Sequence, residues 1–191
     1  MTTALLLIDI QVGFDDPWWG ARNNPDAEVQ AGRLLDAFRA DGRPVFHVRH
    51  LSNTGSPLQE GGSGTAIKPE VAPAPGEPVF DKRVNSAFID TGLQDRLREA
   101  SVTDLVIAGL TTPHCVSTSA RMAANLGFGV TVVEDACADF ARGADATFHP
   151  AAPALTPEAS HFAALAHLHG EFATVASSST VLSALAGRQH G

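Results

Sequence analysis

The chain has 191 residues, 44% hydrophobic and 18% charged, a length and balance that predict one globular domain and exclude a disordered chain. Thirteen Lys and Arg against 21 Asp and Glu leave a net charge of −8, which disfavours nucleic acid and anionic lipid surfaces as partners. No apolar run approaches the roughly 20 residues of a membrane span, Met1-Thr2-Thr3 lacks a signal peptide's basic lead, and two cysteines are no disulfide framework. The expectation is a cytoplasmic protein whose partner is a small-molecule substrate, with no nucleic acid and no membrane.

Residues Ala4 to Ile8 form a short unbroken apolar run, the pattern of a strand buried on both faces. From Pro25 to Asp41 the residues Ala27, Ala31, Leu34, Leu35 and Phe38 recur at helical spacing, and Gly42 stops them. Pro44 to Val48 predicts the next strand, and Val79-Phe80 a short extended piece, either loop or minor strand. Leu93, Leu97 and Ala100 predict a helix, followed by a strand at Leu105 to Ala108. Residues 113–127 predict a helix with Val116, Ala120, Ala123 and Ala124 on one side, and Val130 to Val133 another strand. Thr156-Pro157-Glu158 supplies an N-cap, a first-turn proline and a first-turn acid for a helix to about His169. A strand at Ala173 to Ala176 and a helix starting at Ser178 or Ser179 follow.

Strands alternating with helices predict an α/β fold: an open, mostly parallel, Rossmann-like sheet of about six strands, with helices on both faces of a three-layer domain. Two stretches lack periodicity. Residues 51–77 hold four prolines and Gly55, Gly61, Gly62 and Gly64. A loop of that length predicts a lid, a binding loop or a subunit contact, with a floppy insertion as the plain alternative. Residues 138–155 are similar.

In an open α/β sheet the ligand site lies beyond the carboxyl ends of the strands. Asp9, Lys82 and Cys115 all fall at such ends. Singly, each has an ordinary structural explanation. Together they suit nucleophilic chemistry. A helix N-terminus and a neighbouring ammonium lower a thiol pKa, and a carboxylate can take the thiol proton and return it to a leaving group. This pattern predicts Cys115 as a low-pKa thiolate, provided that Lys82 outweighs the opposing charge of Asp9. Amides around residues 111–115 could hold an oxyanion. Cys137, with no cation adjacent in sequence, reads as a structural thiol.

Leu-Leu-Leu-Ile-Asp-Ile-Gln (5–11), Phe-Asp-Lys-Arg-Val-Asn-Ser-Ala-Phe (80–88) and Gly-Leu-Thr-Thr-Pro-His-Cys-Val (109–116) resemble the three signature segments of isochorismatase-like cysteine hydrolases, in order and approximate spacing. The resemblance continues through Arg121, Gly127-Phe128, Asp135-Ala136 and His169-Gly170-Glu171-Phe172-Ala173, across essentially the whole chain. It implies a cofactor-independent enzyme cleaving a C–N bond of a small amide, carbamoyl or lactam substrate through a thioester on Cys115. Asp9, Lys82 and Cys115 match the family's triad, a non-proline cis peptide falls at Leu110–Thr111, and a homo-oligomer is implied.

Nicotinamidases in this family carry an Asp-x-His pair as zinc ligands after the second strand. Here the region reads His47-Val48-Arg49-His50, without the acid, and a strand would put the two histidines on opposite faces, so no metal is expected. His114 could touch substrate or simply be exposed. Trp18 and Trp19 could wall the pocket or meet a second subunit, with Phe14 and Phe88 as further apolar walls. Vinyl-ether hydrolysis of an isochorismate-like dianion is the alternative reaction, and Arg83 and Arg22 are the few cations near the motifs to serve it. A non-catalytic interaction protein is the other reading. A dinucleotide-binding domain is disfavoured, because no Gly-x-Gly-x-x-Gly opens a helix after the first strand.

Overall fold

The computed structural model describes residues 2–53 and 55–187. Its six strands are β1 (Thr2–Ile8), β2 (Val45–His50), β3 (Val79–Lys82), β4 (Val102–Leu110), β5 (Gly129–Ala138) and β6 (Thr174–Ala176). They form one all-parallel sheet in the order β3-β2-β1-β4-β5-β6. The helices are α1 (Ala27–Ala40), α2 (Leu93–Glu99), α3 (Ser117–Asn125), α4 (Pro157–Leu168) and α5 (Ser178–Gly187). Among the described residues no helix is long and apolar enough to cross a membrane.

The unbroken apolar run of β1 follows from this layering. Leu5 and Leu7 pack with α1 and α5 through Leu34, Leu35, Phe38, Val181 and Leu185. Ala4, Leu6 and Ile8 face the opposite layer, where Leu93 and Leu97 of α2, Ala120 and Ala123 of α3, and Leu165 and Leu168 of α4 meet them. Both strand faces are therefore dry, and each buried leucine contributes about 1.5–3 kcal/mol relative to an exposed one. Local signals hold where they were read: the Thr156 side chain accepts the Ala159 N–H at 3.2 Å, capping α4.

β4 and β5 are longer than their apolar cores suggest. Pairing runs from Ile107↔Val132 to Gly109↔Cys137, so β5 carries extra residues at an irregularity that breaks the side-chain alternation. Cys137 consequently lies on the strand rather than after it. Gly109 is required here: it has φ +146°, and a Cβ would lie 2.0 Å from the Ile8 carbonyl oxygen of β1.

Residues 51–77 are docked on the domain. Leu58 and Val71 are buried, and backbone bonds run from Val12 N–H to Ala66 O and from Lys68 N–H to Ile10 O, both at 2.9 Å. Gly13 permits this approach, since a Cβ there would meet the Pro57 carbonyl oxygen at 2.7 Å. These contacts tie described residues of this stretch to the loops after β1.

The chain leaves the centre through β1, β2 and β3, then returns to the other side of β1 as β4. Connections therefore diverge between β1 and β4, the place where such sheets open a crevice at their carboxyl ends.

Candidate active site

Four neighbouring strand ends each contribute one side chain. Lys82 is the last residue of β3, His50 the last of β2, Asp9 the first beyond β1, and Cys115 sits in a π-helical turn, Thr112–Val116, that follows β4. Asp9 adopts φ +55°, a left-handed conformation uncommon for a residue with a side chain, while its N–H bonds the Val48 carbonyl at 2.8 Å. The turn around Cys115 is closed by the Val116 N–H bonding Thr111 O at 3.2 Å. The Leu110–Thr111 peptide is cis.

The Lys82 ammonium lies at the centre of these ends. Its Nζ is 2.7 Å from Asp9 Oδ2, 2.9 Å from His50 Nδ1, 3.1 Å from Cys115 Sγ and 3.2 Å from Val84 O. The three ammonium protons thus match three acceptors, His50, Val84 O and Cys115, beside the Asp9 ion pair. Asp9 and Lys82 are fully buried, and Cys115 keeps 9% of its surface. Asp9, His50 and Cys115 present donor atoms all within 4.8 Å of one another, a set able to hold a metal ion. Lys82 supplies the cation of that cluster from its own side chain.

The expected resting thiolate is not what this environment produces. Burial pushes the Cys115 thiol well above its ordinary range and the Asp9 charge pushes it further, while Lys82 pulls against both. Sequence spacing showed the cation but not the depth of burial, which is the larger effect. Burial also opposes the Lys82 charge, yet Asp9 and Cys115 outweigh it and hold the ammonium's pKa above its usual value. The resting state is an Asp9–Lys82 ion pair against a protonated thiol.

Gln11 locks this arrangement in place. Its side-chain amide donates to His50 O at 3.0 Å and Thr65 O at 3.1 Å, and its Oε1 accepts the His50 N–H at 2.7 Å. One buried glutamine so ties the ends of β1 and β2 to the 51–77 segment. His47 and His50 do lie in separate environments: His47 Nε2 sits 2.9 Å from Glu77 Oε2, and Glu77 is itself paired with Arg39.

The isochorismatase domain profile matches residues 3–180. An uncharacterised isochorismatase family protein of Bacillus subtilis, YrdC, is 42% identical over 174 residues, covering 90% of each chain. The chain belongs to the isochorismatase family. A solved structure of a protein of this family from Chromobacterium violaceum superposes with a TM-score of 0.90 at 43% identity, covering 97% of this chain and 94% of that one. Maleamate amidohydrolase of Pseudomonas putida is 32% identical over 155 residues, 71% of this chain and 72% of its own. This protein is accordingly an isochorismatase-family hydrolase on a six-stranded parallel sheet.

Around this hydrolase's cysteine the expected substrate contacts separate into three groups. Phe14 and Trp19 stack at 4.6 Å and pack with Leu110, Ala138 and Phe140, forming an apolar wall beside the ends of β4 and β5. Trp18 is 39% exposed and carries the Arg142 guanidinium 3.7 Å above its ring, so it joins two loops at the surface. Phe88 is partly buried, stacks on Phe128 at 6.2 Å and packs against the core cluster that contains Cys115. His114 is exposed next to Cys115, its Nδ1 3.2 Å from the Thr111 hydroxyl.

His161 of α4 had no motif to mark it. Its Nδ1 is 2.8 Å from the Thr112 hydroxyl, and its Nε2 faces the Asn24 amide nitrogen at 3.5 Å. Burial lowers its pKa, and the ring's hydrogen bond with the Thr112 hydroxyl braces the turn that carries Cys115. The cations expected to serve a dianion are already engaged: Arg22 pairs with Glu28 at 2.8 Å and Arg83 with Glu60 at 2.5 Å.

Proposed function

We propose that this chain is a cysteine amidohydrolase that cleaves the C–N bond of a small amide, carbamoyl or lactam substrate. One observation carries the reading: a buried ammonium stands 3.1 Å from a cysteine sulfur and 2.7 Å from a carboxylate. As Sγ attacks the substrate carbonyl carbon, the thiol proton passes to Asp9 and the carbonyl π electrons move onto oxygen. Lys82 stabilises the sulfur as it loses that proton. The amides of Thr111 and Cys115 are the donors assigned to the oxyanion. Collapse of the tetrahedral species breaks the C–N bond, and Asp9 returns its proton to the departing nitrogen, leaving a thioester on Cys115. Water then attacks the thioester with Asp9 as base, the acid is released, and the sulfur regains its proton.

A protonated resting thiol fits this cycle, because the base needs to act only while substrate occupies the site. The relationship to a maleamate amidohydrolase supports C–N cleavage.

A hydrolysis screen across primary amides, ureido acids and lactams, with Cys115→Ala as blank, tests the proposal. The expected result is nitrogen release from at least one class, reduced by at least about 10⁴-fold in the variant. Release at an undiminished rate from Cys115→Ala, or none from any class, would sink it.

A further inference from the structure

His50 takes no part in the proton transfers above, yet its ring touches the group on which they depend. An ammonium close to a carboxylate is drawn toward that charge. Asp9 Oδ2 at 2.7 Å therefore competes with the sulfur, 3.1 Å away, for the position of Lys82 Nζ. His50 Nδ1 at 2.9 Å and Val84 O at 3.2 Å are the further acceptors that fix where the ammonium points. Val84 contributes through its backbone, whereas His50 does so through a side chain.

We propose that His50 is a positioning residue: its neutral imidazole accepts from the Lys82 ammonium at Nδ1, aims that ammonium at Cys115, and leaves its Nε2–H for a hydrogen-bond acceptor on the substrate. The tautomer follows from the contact, since an ammonium only donates and Nδ1 must then be the unprotonated nitrogen. Nε2 has no hydrogen-bond partner among the described residues. The residue is only partly buried, and its ring offers a nitrogen within 4.8 Å of the Asp9 and Cys115 donor atoms. The partly buried ring thus carries an unpartnered Nε2 beside the Lys82 contact.

Three groups face the His50 ring: Lys82 from β3, Asp9 from beyond β1, and Cys115 from the turn after β4. Burial and the Lys82 charge depress its pKa, against an opposing effect of Asp9. The ring is therefore neutral at neutral pH. Below its depressed value it gains a proton on the nitrogen that had accepted, and the contact with Lys82 is lost.

This inference relies on the hydrolase reading for the nature of the reaction, but not for the contact itself. The test therefore pairs turnover with alkylation of Cys115 by iodoacetamide, which needs no substrate. His50→Ala should slow alkylation at pH 8 about tenfold and lower kcat by a similar factor. His50→Asn, whose Oδ1 can stand where Nδ1 stood, should return alkylation and kcat to within about threefold of the native protein. It cannot replace the Nε2–H, so its KM should remain raised about tenfold. The acid limb of kcat/KM that reports His50 protonation should vanish in His50→Asn. The backbone of His50 is held by Gln11, and thermal unfolding of both variants separates lost aim from lost fold. Alkylation of His50→Ala at the native rate, or equal impairment of the Asn and Ala variants, would overturn the proposal. If the native protein turns over no amide at all, the hydrolase reading falls while the alkylation series still decides the role of His50.

Discussion

Cys115 and Cys137 are both buried near the carboxyl end of β4, yet their surroundings differ. Cys137 lies on β5 opposite Gly109 of β4, and Cys115 follows β4 by a few residues. Burial raises the pKa of both thiols, to about 12 for Cys137. The difference lies in what shares the burial. Around Cys137 a Gly109 amide pulls the thiol pKa down slightly and Asp135 pushes it up, with no cation among the influences on it. Cys115 has Lys82 at 3.1 Å and the Asp9 carboxyl within 4.8 Å. On the mechanism proposed above, reactivity comes from proton-transfer partners held in place, not from a thiol ionised at rest. A nucleophile kept protonated until substrate arrives is also shielded from oxidants, since the thiolate is the species that oxidises.

The sharpest way to break this comparison is to remove the base. Asp9→Asn should cut turnover by about 10²–10⁴-fold, the usual worth of a general base. Alkylation of Cys115 should move the opposite way. The Asp9 charge is among the causes that raise the thiol pKa, so its loss should accelerate labelling by iodoacetamide near pH 8. Turnover and alkylation falling together would mean that Asp9 supports structure and does not exchange protons with the thiol.

A smaller effect is expected from the cation. Lys82→Ala should slow alkylation of Cys115 by about tenfold to a hundredfold, because an ammonium near a thiol lowers its pKa by roughly one to two units. Labelling of Cys137 in the unfolded protein serves as the internal standard. A native labelling rate in Lys82→Ala would leave the 3.1 Å contact without a chemical role.

The fold was legible because its strands are buried on both faces and so carry unbroken apolar runs, as in Ala4 to Ile8. Asp9, Lys82 and Cys115 were legible through their segments, although the sheet order that aligns their strand ends was not. Other features depend on distances that no pattern encodes. His50 appeared as one histidine of a poor metal pair, because its partner Lys82 is 32 residues away. Gln11 stood inside a motif, but its bonds to His50 and Thr65 appear only once the 51–77 segment is docked. Thr112 and His161 are 49 residues apart. The thiol pKa was misjudged for the same reason: charge neighbours can be guessed from motifs, whereas depth of burial is a tertiary quantity.

The gentlest test concerns Cys137 alone. Cys137→Ala should leave turnover within about threefold of native, since no substrate-facing group contacts it. At pH 7 it should cost about 1–2 kcal/mol of stability for the volume lost from a fully buried site. The pH dependence then identifies the thiol. Its folded pKa is raised from 9.0 to about 12, so the folded state holds this proton more tightly than the unfolded chain does. That contribution is complete below about pH 9 and is lost as pH rises toward 12, by at most about 1.4 kcal/mol per pH unit. Alanine has no such proton to lose. The stability difference between native protein and variant should therefore shrink steadily between pH 9 and 11, although other groups destabilise both proteins there. Urea unfolding at several pH values measures that difference directly. A gap that stays constant from pH 7 to 11 would show that Cys137 is not the dry, protonated thiol against which Cys115 has been compared.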